Sequence, residues 1–153
     1  MPLIASHLSP AHIVLDAPCA SKKHCLEALA RVFEAQNQLP FALGLDALLA
    51  REHMGSTALG EGVAIPHGRM KGLKTALCAV LRLAKPIAFD APDGQPVDLL
   101  VALMVPQNAT QSHLDLLGEL AEMLSDETFR TQAHAAPDAA SLMALFAAWQ
   151  PAT

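Results

Sequence analysis

The chain has 153 residues, of which 52% are hydrophobic and 16% charged, a composition that favours one globular domain over residues 1–153 and argues against disorder. Its formal net charge of -5 gives no electrostatic reason to expect a nucleic-acid partner, and its scattered basic residues argue against a membrane-surface patch. No apolar run reaches the roughly 18 residues of a membrane-spanning helix, so we expect no membrane insertion.

The first third of the chain predicts one strand followed by two helices. The sequence HIVLDAP, residues 12–18, favours a short strand that ends at a proline turn. A helix is predicted over residues 21–36, with Ser21 as its N-cap. A second helix is predicted over residues 45–55, capped by Asp46 and ended by a glycine. The apolar residues of the first helix that can share one face are Cys25, Leu26, Leu29, Val32 and Phe33.

Three extended segments are predicted in the middle of the chain. The first, Val63-Ala64-Ile65, is brief. Residues 75–84 and 97–105 are apolar at successive positions, as strands buried on both faces usually are. Asp93-Gly94 lies between them and is a strong turn signal, so we predict that these two strands form an antiparallel pair.

The last third of the chain is predicted to be helical. Residues 112–126 show the spacing of one buried stripe, and two further helices are expected over residues 126–135 and 138–150. The residues predicted to face the core are Leu114, Leu117, Ala121 and Leu124 in the first of these helices, and Leu142, Leu145, Phe146 and Trp149 in the last. All the elements together predict an α/β fold, a three-layer α/β/α sandwich whose small central mixed sheet is flanked by helices.

The chain contains three cysteines, Cys19, Cys25 and Cys78, an odd number without a CxxC spacing. This usage favours free thiols in a reducing cytosol over a disulfide framework. The amino-terminal segment lacks the basic region and the unbroken apolar run of a signal peptide. We therefore expect a cytoplasmic location.

The sequence GEGVAIPHGR, residues 60–69, presents His67 on a stiff support. Pro66 restricts Ile65 to extended geometry and fixes its own φ, and Gly68 removes side-chain bulk so that a ligand can approach the backbone. A neutral imidazole placed in this way is a competent nucleophile that can accept a phosphoryl group and release it again. The same residues are also compatible with a turn histidine that only satisfies its own backbone.

Four other residues could complete such a site, because a phosphohistidine is strongly anionic and needs hydrogen-bond donors nearby. Arg51 ends the second predicted helix, and Ser56 and Thr57 lie in the loop that follows it. His113 lies at the start of a predicted helix, where the helix dipole disfavours the imidazolium form and leaves a neutral donor. Taken singly, each is better explained by a simpler role, as a helix-end charge, a loop polar group or a surface histidine.

Three other kinds of site are excluded by their motifs. In GRMKGLKT no lysine directly follows Gly72, so the phosphate-binding loop pattern is absent. REHMG is not HExxH, and the seven histidines show no metal-ligand spacing. MGSTALG lacks the G-x-S-x-G motif that forms the nucleophile elbow of serine hydrolases. We therefore expect neither a metal nor a cofactor.

Three segments in the same order resemble the enzyme IIA domain of the bacterial phosphoenolpyruvate-dependent phosphotransferase system, mannitol/fructose type. They are REHMGSTALGEGVAIPHG (51–68), PIAFDAPDGQPVDLLVALMVP (86–106) and HLDLLGELAEMLSD (113–126). Within this family, the segment PIAFDAPDGQPVDLL is most similar to the nitrogen-related regulatory branch. The chain length, which leaves no room for a fused transporter or IIB segment, favours the same branch. One departure is Ala58, where the family often has glycine.

The resemblance implies a single IIA type-2 domain with a mixed sheet between helices, and a role for each candidate residue. It implies that His67 receives a phosphoryl group on Nε2 from a histidine phosphocarrier protein, and that His113 hydrogen-bonds this group. Arg51 matches the active-site arginine, and Ser56 and Thr57 match the phosphate-binding loop beside it.

The resemblance also implies an output through protein targets, such as potassium-transport components, that respond to the phosphorylation state. Two alternatives stay open. The chain could be a fructose- or mannitol-specific IIA that passes phosphate to a IIB partner, or a binding module whose histidine is not phosphorylated.

Overall fold

The computed structural model describes residues 2–108 and 110–151 of the chain. Over these residues five α-helices and six β-strands follow two short 3₁₀ helices at Leu3–Ser6 and Pro10–His12. The strands and helices in chain order are β1 Ile13–Ala17, α1 Lys22–Asn37, α2 Phe41–His53, β2 Ala58–Gly60, β3 Val63–Ala64, β4 His67–Met70, β5 Leu77–Ile87, β6 Val97–Pro106, α3 Gln111–Ser125, α4 Glu127–Ala135 and α5 Ala139–Ala148.

The strands form one mixed sheet that is organised around β5 and β6. These two strands are antiparallel, which confirms the predicted pair. β1 runs parallel to β5, and β2 pairs antiparallel with β3 at the other edge. Both β3 and β4 run parallel to β6, so the sheet order is β1-β5-β6-β3-β2 with β4 also paired to β6.

β3 and β4 follow the same side of β6 in one register, because Val63 pairs with Leu99 and His67 pairs with Leu103. Pro66 lies at the break between the two strands, where a residue without an N–H cannot donate to the ladder. Its carbonyl oxygen still accepts the Leu103 N–H at 2.9 Å. His67 is therefore at the start of a strand and not in a loop, and β2 and β4 are strands that the sequence pattern did not predict.

Helices cover both faces of the sheet, which confirms the predicted three-layer sandwich. Successive residues of β5 alternate between two cores, since Cys78 and Val80 face one and Ala79 and Leu81 face the other. The first core is closed by the amino-terminal 3₁₀ turns with α3, α4 and α5. The second core is closed by α1 and α2.

The predicted start of α2 was wrong. The helix begins at Phe41, directly after Pro40, and Asp46 is an exposed residue in its interior. Gly44 lies buried inside this helix, where an added Cβ would be 3.4 Å from the Leu39 side chain and 3.9 Å from that of Ala30, so the glycine does not interrupt the helix. The predicted N-cap of α1 is confirmed, since the Ser21 hydroxyl accepts the His24 N–H.

The buried stripe of α3 also differs from the prediction. The fully buried residues are Leu116, Leu120, Met123 and Leu124, so only Leu124 of the predicted residues is among them. The predicted Leu117 and Ala121 are partly buried against the same core, whereas Leu114 is 54% exposed. Both stripes have helical spacing, so periodicity alone cannot select one of them. In α5 the prediction is confirmed, with Leu142 and Phe146 buried and Leu145 and Trp149 partly buried.

The three cysteines are free thiols, as predicted. Burial raises the pKa of Cys25 and of Cys78 to about 12, so both thiols stay protonated at neutral pH. Among the helices of residues 2–108 and 110–151, none is both long enough and apolar enough to cross a bilayer.

Candidate active site

Three segments that are distant in sequence meet at one open cavity of about 480 Å³, called the His67 cavity below. Arg51 comes from the last turn of α2, His67 from the start of β4 and His113 from the first turn of α3. The structure thus brings together three of the five predicted site residues. The other lining residues are apolar apart from Arg69: Ala47, Ala50, Met54, Gly68, Arg69, Leu103, Val105, Leu114 and Leu117.

The imidazole ring of His67 is half-buried and is held in one tautomer. Its Nδ1 lies 2.8 Å from the carbonyl oxygen of Ile65. Because a carbonyl oxygen can only accept a hydrogen bond, Nδ1 carries the proton and Nε2 keeps its lone pair. Nε2 is therefore the nitrogen available for nucleophilic attack.

Burial lowers the pKa of His67 below its ordinary value. The hydrogen bond to the Ile65 carbonyl and the Glu52 carboxylate act in the opposite direction and raise the pKa. The guanidinium groups of Arg51 and Arg69 lower the pKa further. The net direction is downward, so the ring of the free protein is neutral at neutral pH. A neutral ring is the form that can act as a nucleophile.

His113 is held in the opposite tautomer by the cap of α3. The backbone N–H of Thr110 donates to His113 Nδ1 at 3.0 Å, as part of a capping box in which the Thr110 side chain accepts from the backbone of His113. Since a backbone N–H can only donate, Nδ1 holds a lone pair and the proton of the neutral ring lies on Nε2. His113 therefore presents an N–H donor, and the cap fixes this tautomer in addition to the dipole effect expected from the sequence.

The charged groups that line the His67 cavity are cationic. The Arg51 guanidinium donates to the Gly55 carbonyl at 2.8 Å, which ties it to the end of α2. Arg69 also lines the cavity, because residues two apart on a strand point to the same face as His67. The described residues that line this cavity include no carboxylate, so its field favours an anion. Arg69 was not among the predicted site residues, because its place beside His67 depends on β4, a strand that the sequence pattern did not predict.

Gly68 lines the His67 cavity and also lies directly against the backbone of α2. A Cβ at this position would lie 2.9 Å from the carbonyl carbon and oxygen of Ala47 in α2. The glycine therefore allows α2 to pack directly on β4. This packing sets the separation between Arg51 on the helix and His67 on the strand.

Ser56 and Thr57 do not line the His67 cavity. The Ser56 hydroxyl donates to the Phe89 carbonyl at 2.6 Å. Thr57 is only 6% exposed, and both its hydroxyl and its backbone N–H donate to the Glu52 carboxylate. The two residues therefore fix the loop between α2 and β2, and their hydroxyl groups are engaged away from the cavity.

Glu52 is a second residue that the sequence analysis missed. Its side chain is 5% exposed and lies 3.1 Å from the Lys22 ammonium group, which also contacts Asp90 at 3.1 Å. A glutamate next to an arginine near a helix end is usually a solvated residue, so the sequence carried no signal for this burial.

The His67 cavity thus combines a nucleophilic nitrogen, an N–H donor and two guanidinium groups within apolar walls. This set is suited to a phosphoryl-type anion. Within residues 2–108 and 110–151 no group of three or more histidine, cysteine, aspartate or glutamate side chains is arranged to hold a metal ion.

The chain is similar to known proteins over nearly its whole length. Residues 6–149 match the protein family described as phosphoenolpyruvate-dependent sugar phosphotransferase system, EIIA 2. A nitrogen regulatory protein of Pseudomonas aeruginosa is 42% identical over 142 residues, which span 88% of this chain and 88% of that protein.

Solved structures give the same result. The crystal structure of nitrogen regulatory protein IIA-Ntr from Neisseria meningitidis superposes with a TM-score of 0.90 at 43% identity, covering 94% of this chain and 99% of that one. Enzyme IIAMTL of Escherichia coli, solved in complex with phosphorylated enzyme IIBMTL, shares the fold with a TM-score of 0.78 at 19% identity, covering 93% of this chain and 98% of that one.

Proposed function

The chain belongs to the phosphoenolpyruvate-dependent sugar phosphotransferase system EIIA 2 family, alongside nitrogen regulatory proteins, and on that premise we propose that it carries a phosphoryl group on His67. The donor is a histidine phosphocarrier protein in the cytoplasm, and the whole chain acts as one domain. The observation that supports this proposal most strongly is the pair of opposite tautomers at His67 and His113, one a bare nucleophile and the other a donor.

The proposed transfer is an in-line displacement between two histidines. The Nε2 lone pair of His67 forms a bond to the phosphorus of the carrier's phosphohistidine. The bond between phosphorus and the carrier nitrogen breaks, and its electron pair returns to that nitrogen. The positive charge that develops on the His67 ring is stabilised at Nδ1–H by the Ile65 carbonyl.

Three cationic or donor groups act on the phosphoryl oxygens in this scheme. The His113 Nε2–H donates a hydrogen bond, and the guanidinium groups of Arg51 and Arg69 offset the negative charge. Phosphoryl transfer depends on such positioning and electrostatic stabilisation, because little covalent chemistry remains for the protein to do. Ser56 and Thr57 contribute in this proposal by holding the loop that follows Arg51.

The rim of the His67 cavity suits a protein donor. Met54 is 83% exposed and Leu114 is 54% exposed, and both lie at the cavity that contains His67. Exposed apolar residues around a reactive group favour a partner surface that covers them and excludes water from the transfer. A carrier with an apolar patch around its phosphohistidine fits this arrangement.

The output that we propose is regulatory. The nitrogen regulatory names of the relatives at 42% and 43% identity favour control of protein targets, such as potassium-transport components, by the phosphorylation state of His67. The second candidate is a sugar-specific IIA that passes the phosphoryl group to a IIB partner. It is favoured by the shared fold with a mannitol IIA that was solved with its phosphorylated IIB.

Intact mass spectrometry tests the carrier function. The protein is incubated with phosphoenolpyruvate, enzyme I and the carrier protein, beside a His67→Ala variant. We expect an acid-labile gain of one phosphate in the unaltered protein and no gain in the variant. No gain with any donor protein would refute phosphoryl transfer and leave a binding module as the function.

Onward transfer separates the two outputs. The phosphorylated protein is mixed with mannitol- or fructose-type IIB proteins, and the phosphate on each partner is measured over time. We expect negligible transfer on the time scale of charging by the carrier. Efficient transfer to a IIB would replace the regulatory function with sugar transport.

A further inference from the structure

Glu52 is a buried carboxylate that lies next to the His67 cavity without lining it. Its two oxygens accept the backbone N–H of Thr57 at 3.1 and 3.2 Å, and Oε1 also accepts the Thr57 hydroxyl. The Lys22 ammonium group lies 3.1 Å away and balances the charge. Every hydrogen bond in this set ends on one side chain, so Glu52 fixes the position of Thr57 relative to the end of α2.

Thr57 is in turn bonded to the backbone that orients His67. The Thr57 carbonyl accepts the Ile65 N–H at 3.1 Å, and the Ile65 carbonyl accepts the His67 Nδ1–H at 2.8 Å. The contacts form a continuous chain from the carboxylate to the reactive ring. Each step is a hydrogen bond with an assigned donor and acceptor.

On the β2 side, the sheet gives Thr57 little support. β2 has three residues and β3 has two, and the ladder between them has a register shift between Ala58 and Gly60. Few ladder hydrogen bonds are therefore available to hold Thr57 against Ile65. The carboxylate supplies an anchor that the short strands lack.

The same carboxylate also lies beside Arg51 in the sequence, at the end of α2. Arg51 donates to the Gly55 carbonyl in the loop whose far end is Thr57. The loop is thus fixed at both ends by adjacent residues of one helical turn. Movement of Glu52 would change the placement of the arginine and of the histidine together.

We propose that Glu52 is a positioning residue for the reaction at His67, acting through Thr57 and Ile65 to keep the His67 proton on Nδ1 and the Nε2 lone pair available. The proposal rests on the proposed function of His67. Glu52 touches neither the ring nor the transferred group, so it is not a catalytic residue.

The test compares Glu52→Gln and Glu52→Ala with the unaltered protein. The donor groups around this side chain are the Thr57 N–H, the Thr57 hydroxyl and the Lys22 ammonium group. Glutamine offers them one acceptor oxygen, and alanine offers none. We expect ¹⁵N spectra of the unphosphorylated protein to show a protonated Nδ1 and a bare Nε2 at His67, with increasing exchange between tautomers in the order glutamate, glutamine, alanine. The rate of phosphoryl acceptance should fall in the same order, by about tenfold to a hundredfold in total.

Glu34→Ala is the matched control. Glu34 also accepts a backbone N–H with its carboxylate, that of Phe41 at 3.0 Å, but at the other end of α2. This variant should keep both the His67 tautomer and the rate of the unaltered protein. If Glu52→Ala does not fold, the comparison of glutamate with glutamine decides the question.

The proposal requires the tautomer and the rate to change together. A Glu52 variant that keeps the tautomer, whatever its rate, overturns it, and so does one that loses the tautomer preference but keeps the rate. If the unaltered protein accepts no phosphate, the carrier function fails separately, and the ¹⁵N spectra alone decide whether Glu52 orients His67.

Discussion

Replacing Gly68 by alanine adds one methyl group at the contact between β4 and α2. The backbone of Gly68 is not in the left-handed region, so available space decides the outcome. The new Cβ would lie 2.9 Å from the carbonyl carbon and oxygen of Ala47 and 3.1 Å from its Cβ. The two closest atoms belong to the helix backbone, so α2 must move and no side-chain rotation can relieve the contact.

The size of the effect follows from these distances. Carbon atoms in ordinary contact are separated by about 3.5 Å or more, so the helix must retreat by about half an ångström. Overpacking of this kind costs about 1–3 kcal/mol, and each kcal/mol lowers Tm by about 2–4 °C in a chain of this size. Arg51 lies one turn beyond Ala47 on the same helix, so it moves away from His67. A displacement of about 1 Å can cost about a hundredfold in rate, and we expect about a tenfold loss here.

Thermal unfolding and the rate of phosphoryl acceptance are the assays, with Gly118→Ala as the matched control. An added Cβ at Gly118 of α3 meets no atom within 4 Å. This second substitution should raise the free energy of unfolding by up to about 1 kcal/mol, because alanine is the better helix former, and should leave the rate unchanged. If Gly68→Ala matched the unaltered protein in Tm and in rate, the inferred packing of α2 on β4 would be refuted.

Three further predictions concern the His67 cavity. His113→Ala should still accept phosphate but release it to a partner at least about tenfold more slowly; equal release would remove the hydrogen-bond role of His113. Because burial lowers the pKa of His67, acceptance should stay constant as the pH falls through about 6.5, and the unfolded chain should take up the proton first. The free energy of unfolding should therefore decrease below that pH, and it should decrease less in the His67→Gln variant. Equal decreases in the two proteins, measured by urea unfolding, would contradict the lowered pKa. Leu114→Ser should raise KM for the phosphorylated carrier, whereas Leu43→Ser, at an exposed residue of α2 outside the cavity, should leave KM unchanged. Both substitutions should change the free energy of unfolding by less than about 0.5 kcal/mol.

The fold could be predicted where the sequence pattern had one interpretation. The long apolar runs that became β5 and β6 were too hydrophobic for an exposed position, and Asp93-Gly94 between them left an antiparallel pair as the simplest arrangement. The pattern failed where two arrangements had the same period. In α3 the stripes through Leu114 and Leu116 are both helical, and only the position of the sheet selects the second.

The site was predicted only in part, because some of its features follow from the local sequence and others from contacts that form on folding. The sequence around His67 predicted a well-presented imidazole, and the structure places Arg51 and His113 beside it. The tautomers depend on the carbonyl of Ile65 and the N–H of Thr110, which become partners only after folding. No local pattern indicated the burial of Glu52, whose ion-pair partner Lys22 lies thirty residues earlier in the chain.

The most direct test of the account is to identify the nitrogen that carries the phosphoryl group. The protein is labelled with ¹⁵N-histidine, charged by the carrier protein and examined for ¹⁵N–³¹P coupling before the phosphate is lost. We expect coupling at Nε2 of His67 alone, with Nδ1 still protonated and hydrogen-bonded to the Ile65 carbonyl. Coupling at Nδ1 of His67, or at any other histidine, would contradict it.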